Sequence, residues 1–136
     1  MTQEEKDLLL KDLCGRLPYG VKCQCFDEKT IASLTGIKSN TELYFDELDY
    51  KEFDGIIEIT YCKPYLFPLS SMTGEEKEEY RKVCELDTEI LSNHPMDGTP
   101  FPALYNSQDW LNTHHYDYRG LIPAGAAIDA TGLNVY

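Results

Sequence analysis

One short segment of the chain gathers most of the side chains that could take part in chemistry. The fourteen residues from Asp109 to Ile122 include the only Trp, two of the three His and the only basic residue after Lys82. Rings, imidazoles, carboxylates and a guanidinium in such proximity are more typical of recognition or acid–base chemistry than of core filling. We therefore predict a binding surface in this segment, formed by Trp110, His114, His115, Tyr116, Asp117, Tyr118 and Arg119.

The spacing within this segment predicts which side chains share a face. A helix over residues 107–118 would place Trp110, His114 and Tyr118 on one stripe, because they are four residues apart. The two adjacent histidines would then point about 100° apart, which disfavours chelation of one ion by both. Tyr116 would point away from the stripe, so we expect Tyr116 and Arg119 to be surface residues.

Two other interpretations of the same residues remain open. His114 and Asp117 are three residues apart and could share an edge, as a metal-binding pair or an oriented base. A metal would need further ligands, from His94, Asp97 or the cysteines. Alternatively, Trp110, Leu111 and Tyr118 pack inward and the histidines bond to backbone carbonyls. No cofactor or metal is predicted, since the zinc-knuckle cysteine spacing, the Gly-x-Ser-x-Gly motif and a glycine-rich phosphate loop are all missing.

The charge of the chain limits the partners it could bind. Its 24 acidic and 12 basic residues give a net charge of −12, which argues against direct binding to a nucleic-acid backbone. Residues 27–58 carry −6, from nine acids and three lysines, and residues 73–92 carry −4, from seven acids and three bases. Such faces either serve solubility or attract a basic protein by long-range steering.

The cysteines and the hydropathy pattern indicate the compartment. Five cysteines are an odd number without a disulfide framework, and Cys23 and Cys25 should share one face of a strand as free thiols. No apolar run approaches the roughly 20 residues of a membrane span, and the polar, acidic first residues do not resemble a signal peptide. We therefore expect a cytoplasmic protein without a membrane partner.

We predict a single α+β domain over residues 1–136, which positions the residues of the predicted binding surface. The predicted elements are an N-terminal helix within 1–19, a sheet over 20–67, a long central helix over 73–92, and a short C-terminal helix with a tail over 107–136. Capping boxes at Thr2–Glu5 and Thr73–Glu76 begin the first two helices. Short strands joined by polar turns predict a small bent antiparallel sheet of the SH3-like barrel type, with residues 63–72 as an extended connector across it.

Three stretches together resemble a known group of proteins. They are LPYGVK at 17–22, KPYLFPLSSMT at 63–73 and DWLNTHHYDYRGLI at 109–122, about a quarter of the chain. In order and spacing they resemble short uncharacterised proteins of Bacteroides-type gut bacteria, their prophages and their phages. That family has no assigned activity, so the resemblance implies a phage or mobile-element origin and no catalytic residue.

The sequence thus leads to one function hypothesis and one alternative. The first is a non-enzymatic acidic interaction protein of phage or mobile-element type, which binds a host or phage protein as an inhibitor or nucleic-acid mimic. The alternative is a small hydrolase or metal-dependent enzyme that uses His114 and Asp117.

Overall fold

The computed structural model describes residues 1–46, 55–93, 98 and 106–136. These residues form a mixed α+β fold with three α-helices and a seven-stranded sheet. The helices are α1 (Gln3–Arg16), α2 (Gly74–Asn93) and α3 (Asn106–Thr113). The strands are β1 (Lys22–Cys25), β2 (Ile31–Ile37), β3 (Glu42–Phe45), β4 (Ile56–Glu58), β5 (Cys62–Pro68), β6 (Tyr116–Asp117) and β7 (Ile128–Asp129).

Both predicted capping boxes are confirmed. The amide of Glu5 donates to the Thr2 hydroxyl at 3.1 Å, and the Glu5 carboxylate accepts from the Thr2 amide at 3.2 Å. Thr73 and Glu76 make the same reciprocal pair, with both distances 3.2 Å. The first two helices therefore begin where the local sequence predicts them.

The sheet is open, so the predicted SH3-like barrel is not confirmed. Its order is β4-β3-β2-β1-β5-β6, and all pairs up to β5 are antiparallel. Strand β5 also pairs in parallel with β6, at Phe67 and Pro68, and with β7, at Tyr65 and Leu66.

The predicted connector at 63–72 is wrong in its first half, because Cys62–Pro68 is itself strand β5. This strand pairs with β1, β6 and β7 and joins the two parts of the sheet. Residues 47–54, which belong to the acidic stretch 27–58, lie outside the described residues.

The main core lies between α1 and one face of the sheet. Leu9 and Leu13 of α1 are fully buried and pack with the inward side chains of the strands. Cys23, Cys25 and Cys62 are fully buried free thiols, so the predicted shared face of the first two is confirmed. A second cluster joins α2 to α3 and consists of Met72, Trp110, Leu111 and Tyr116, with Phe67, Tyr80, Val83 and Tyr118 partly buried around it. No described helix has the length and apolar character needed to cross a bilayer.

A buried ion pair ties the last turn of α1 to the predicted binding segment. Asp12 and Arg16 have fully buried side chains, with Nε of Arg16 2.7 Å from Oδ2 of Asp12. Nη2 of Arg16 donates to the carbonyl oxygen of Tyr116 at 2.6 Å. Arg119 lies 3.2 Å from the other Asp12 oxygen with a side chain only 17% exposed, so its predicted surface position is wrong. The two guanidinium groups lie 5.0 and 5.1 Å from the ring centre of Tyr118.

Removal of the Asp12 charge should destabilise the protein strongly. We expect Asp12→Asn to lower the free energy of unfolding by about 3–5 kcal/mol, because it leaves the Arg16 charge buried without its counter-ion. The double variant Asp12→Leu, Arg16→Met should recover part of this loss, since the Arg16 charge is removed and only the mostly buried Arg119 is left without its counter-ion. Urea melts measure both values.

The control is Glu78→Gln, which breaks a pair with Arg81 in which both side chains are about half exposed. This change should alter stability by less than about 1 kcal/mol. Equal effects of Asp12→Asn and Glu78→Gln would show that the buried pair contributes no more than a surface pair.

Candidate functional site

The predicted binding segment is not one continuous helix. Helix α3 ends at Thr113, His115 has a left-handed backbone with φ of 62°, and strand β6 follows directly. Tyr118 lies beyond the end of the helix, so the predicted stripe of Trp110, His114 and Tyr118 is wrong for Tyr118. The left-handed residue reverses the chain, and this conformation is uncommon outside glycine, although asparagine, aspartate and histidine adopt it more often than other residues. A helical period could not reveal it.

The reversal turns Tyr116 towards α3 and not away from it. Its ring is parallel to that of Trp110, with the centroids 5.8 Å apart and an interplanar angle of 1°. His114 stacks on Trp110 at 3.9 Å. Trp110 is 8% exposed and Tyr116 is 4% exposed. The inward packing of Trp110 is thus confirmed, and the predicted surface position of Tyr116 is wrong.

A groove of about 270 Å³ opens beside this stack. Its walls come from the end of β5, the first turn of α2, the turn after α3, and residues 131–132. We call it the aromatic–carboxylate groove, and it is lined by Phe67, Ser71, Glu76, His114, Tyr116, Thr131 and Gly132. Of the predicted binding residues, His114 and Tyr116 line it.

The carboxylate of Glu76 is fixed in the groove by two hydrogen bonds. One oxygen accepts from the Tyr116 hydroxyl at 2.6 Å, and the other accepts from the Thr73 amide of the capping box. The bond from Tyr116 is the main reason that the pKa of Glu76 is lowered. Burial and then the neighbouring Glu76 raise the pKa of Tyr116. At neutral pH the groove therefore contains an ionised carboxylate and a protonated phenol.

His114 has one ring nitrogen without a hydrogen-bond partner among the described residues. Its Nδ1 lies 2.8 Å from the carbonyl oxygen of Trp110, which confirms the predicted bond to a backbone carbonyl. A carbonyl can only accept, so Nδ1 carries the proton in the neutral ring and Nε2 is the acceptor.

The Asp117 carboxylate bonds to backbone amides and not to His114. It is 7% exposed, and one oxygen accepts from the amides of Leu121 at 3.0 Å and Arg119 at 3.3 Å. The other oxygen accepts from the Ile122 amide at 2.9 Å. The carboxylate thus closes the turn after β6, and its bonds do not orient the His114 ring. Within the described part of the chain, no group of three or more His, Cys, Asp or Glu could hold a metal ion. His94 and Asp97 lie outside that part.

His115 and Tyr118 lie outside the groove. The ring of His115 stacks on Tyr136 at 3.6 Å, and its Nδ1 is buried without a hydrogen-bond partner among the described residues. Burial first, and then the charge of Arg16, lower the pKa of His115 to about 4. The Tyr118 hydroxyl donates to Asn112 at 2.8 Å. The residues of the predicted binding segment are therefore close together in the sequence but serve different places in the fold. Some line the groove, some belong to the ion network around Asp12, and some form the turn that Asp117 closes.

Sequence reasoning missed Phe67, Ser71 and Glu76 as groove residues. The capping box Thr73–Glu76 did single out Glu76, but only as the start of a helix. Phe67 is placed by the parallel pairing of β5 with β6, in which it lies opposite Tyr116. Such a pairing leaves no signal in either short segment.

No protein family, curated protein or solved structure matches the chain. The resemblance to proteins of gut bacteria and their phages therefore stays a prediction. Function has to be argued from the chemistry of the groove and of the surface around it.

Tyr116 should contribute to stability as a core residue does. We expect Tyr116→Ala to cost about 3–5 kcal/mol, because the ring packs between Phe67 and Trp110. Tyr116→Phe should cost about 1–3 kcal/mol, through loss of the bond to the Glu76 carboxylate. Tyr61→Ala is the control, since Tyr61 is 55% exposed, and should cost under about 1 kcal/mol. Urea melts in which Tyr116→Ala resembles Tyr61→Ala would contradict the burial of Tyr116.

His115 should make the stability depend on pH. Its pKa in the folded protein is about 4, below the ordinary value of 6.5, so protonation favours the unfolded chain. Its contribution is complete above pH 6.5 and is lost as the pH falls towards about 4. His115→Asn removes the titration and keeps the left-handed backbone, which asparagine tolerates. The free energy of unfolding should therefore fall less steeply for the variant across this range, whereas parallel curves would show that His115 does not titrate as described.

Proposed function

We propose that the protein is a non-enzymatic interaction protein that binds a basic protein of a host or a phage. The observation that carries the proposal is the aromatic–carboxylate groove, where the ionised Glu76 lies among the rings of Phe67, His114 and Tyr116. The resemblance to short proteins of gut bacteria and their phages supports the phage or mobile-element setting.

The chemistry of the groove favours a cationic side chain. The faces of aromatic rings attract cations, and the attraction grows where water is excluded. Each Glu76 oxygen already accepts one hydrogen bond, and a carboxylate has about four acceptor positions, so further donors can be bound. Arginine suits such a site best, because its planar guanidinium both stacks on rings and donates two parallel bonds to a carboxylate.

The negative charge of the surface around the groove extends the preference for a cationic partner over a longer range. Glu76 lies in the first turn of α2. The whole helix contains seven acids and three bases. Arg81 is paired with Glu78 and Glu85, and with all three bases counted the helix still has a net charge of −4. A negative field of this kind raises the association rate of a basic protein and discriminates against acidic ones. A protein that normally binds nucleic acid has such a basic surface, which is consistent with inhibition by mimicry.

The enzyme alternative has weaker support. Asp117 bonds to three backbone amides, and Nδ1 of His114 faces a carbonyl oxygen, so the two side chains do not form an oriented acid–base pair. Only the free Nε2 of His114 favours this alternative, as a base within the groove. Direct nucleic-acid binding is opposed by the net charge of −12.

A binding measurement with matched charge variants tests the proposal. Isothermal titration with an arginine-rich peptide should show salt-dependent binding. We expect Glu76→Gln to weaken it about five- to thirtyfold, because a partly buried charge pair is lost. Glutamine can still complete the capping box, so the helix should be retained.

Glu75→Gln is the control, because it makes the same charge change at the neighbouring exposed position. It should weaken binding less than about twofold. Equal effects of the two variants would show that the peptide binds by general charge and not in the groove. Absence of binding at low salt would reject the proposed function itself.

A further inference from the structure

A second cavity, of about 370 Å³, lies on the face of the sheet opposite α1. It shares no lining residue with the aromatic–carboxylate groove. Its walls are aliphatic and come from β2, β7 and the segment after β7, as Ile31, Ile128, Leu133 and Val135. Ile31 is 44% exposed and Leu133 is 50% exposed, so a ligand with an apolar body would remove this surface from water.

The cavity is held open by strong local contacts. The Tyr136 hydroxyl donates to the carbonyl oxygen of Tyr65 at 2.8 Å and accepts from the amide of Lys22 at 3.0 Å. The ring of Tyr136 also stacks on His115. These contacts fix the segment that carries Leu133 and Val135 across the sheet. The site is therefore formed before any ligand arrives, which reduces the ordering that binding requires.

One end of the cavity is polar, and each of its side chains offers an oxygen atom that can accept a hydrogen bond. It is lined by Gln24, Glu28 and Tyr65, and the Tyr65 hydroxyl donates to Oε1 of Gln24 at 3.4 Å. The Glu28 carboxylate makes no ion pair with a basic side chain in the described part of the chain. Its charge acts on the same end, since burial, then Cys25, then Glu28 raise the pKa of Tyr65.

We propose that this cavity binds a primary alkylammonium ion, with its chain between the aliphatic walls and its ammonium group at Glu28, Gln24 and Tyr65. An ammonium group has three donors and no acceptor, which matches an end that offers acceptors. A cavity of this volume is in the range of small-molecule sites, so the occupant is a free amine. The proposal is independent of the proposed function, because it uses a different site and a different ligand.

The test is an NMR titration of labelled protein with ethyl-, propyl-, butyl- and pentylammonium chloride. Saturable shifts should appear at the methyl groups of the four aliphatic wall residues. The affinity should rise about three- to fourfold with each added methylene, because each one buries further apolar surface. Pentanol and pentanoate should bind more weakly than pentylammonium, because neither brings a positive charge to Glu28.

Variants at exposed positions separate the two parts of the site without disturbing the core. Glu28→Gln should weaken pentylammonium binding about two- to fivefold. Glu58→Gln, at an exposed acid on β4 outside the cavity, should leave the affinity unchanged. Ile31→Ala should reduce the gain per methylene, because one wall is shortened.

Three results of these measurements would overturn the proposal, and a fourth would come from a peptide-like ligand. The three are equal affinity for pentanol and pentylammonium, no dependence on chain length, and equal effects of Glu28→Gln and Glu58→Gln. Binding of Nα-acetyl-lysine methylamide without binding of pentylammonium would also overturn it, because the occupant would then be a peptide side chain and not a free amine.

Discussion

The candidate site depends on charged contacts around Asp12 inside the protein. Arg16 and Asp12 are both fully removed from water, and a buried charge of either sign is tolerated only beside its counter-ion. A second nitrogen of Arg16 donates a hydrogen bond to the carbonyl oxygen of Tyr116, one hundred residues further along the chain. The last turn of α1 therefore determines where β6 begins. The rings, the turn and the groove that follow are all placed relative to that contact.

Three local features form the groove next to the contact between Arg16 and Tyr116. The left-handed His115 reverses the chain after α3, so that Tyr116 faces Trp110. The pairing of β5 with β6 sets Phe67 opposite Tyr116. The capping box of α2 then brings a carboxylate to the Tyr116 hydroxyl. Glu76 thus begins a helix and supplies the charge of the groove, and its position follows from backbone hydrogen bonds and not from a flexible side chain alone.

The two cavities differ in chemistry although one segment of chain borders both. Thr131 and Gly132 line the groove, whereas Leu133 and Val135 line the second cavity. The groove offers rings and an ionised carboxylate, which suit a delocalised cation such as guanidinium. The second cavity offers aliphatic walls with acceptors at one end, which suit a compact ammonium group on a hydrocarbon chain. The two proposed sites therefore differ in the kind of cation that each one suits.

The sequence by itself determined what depends on neighbours a few residues apart. The starts of α1 and α2 follow from bonds between Thr2 and Glu5 and between Thr73 and Glu76, and the shared face of Cys23 and Cys25 follows from the period of a strand. It also named His114 and Tyr116 as candidate binding residues from their residue types, and both line the groove.

Only the tertiary structure decided the open sheet, the burial of Tyr116, the partial burial of Arg119, and the position of Glu76 in the groove. Each depends on a contact between distant segments, such as Arg16 with Tyr116, or β5 with β6 and β7. A local pattern contains no information on such pairings, since their free energy arises only when both segments meet.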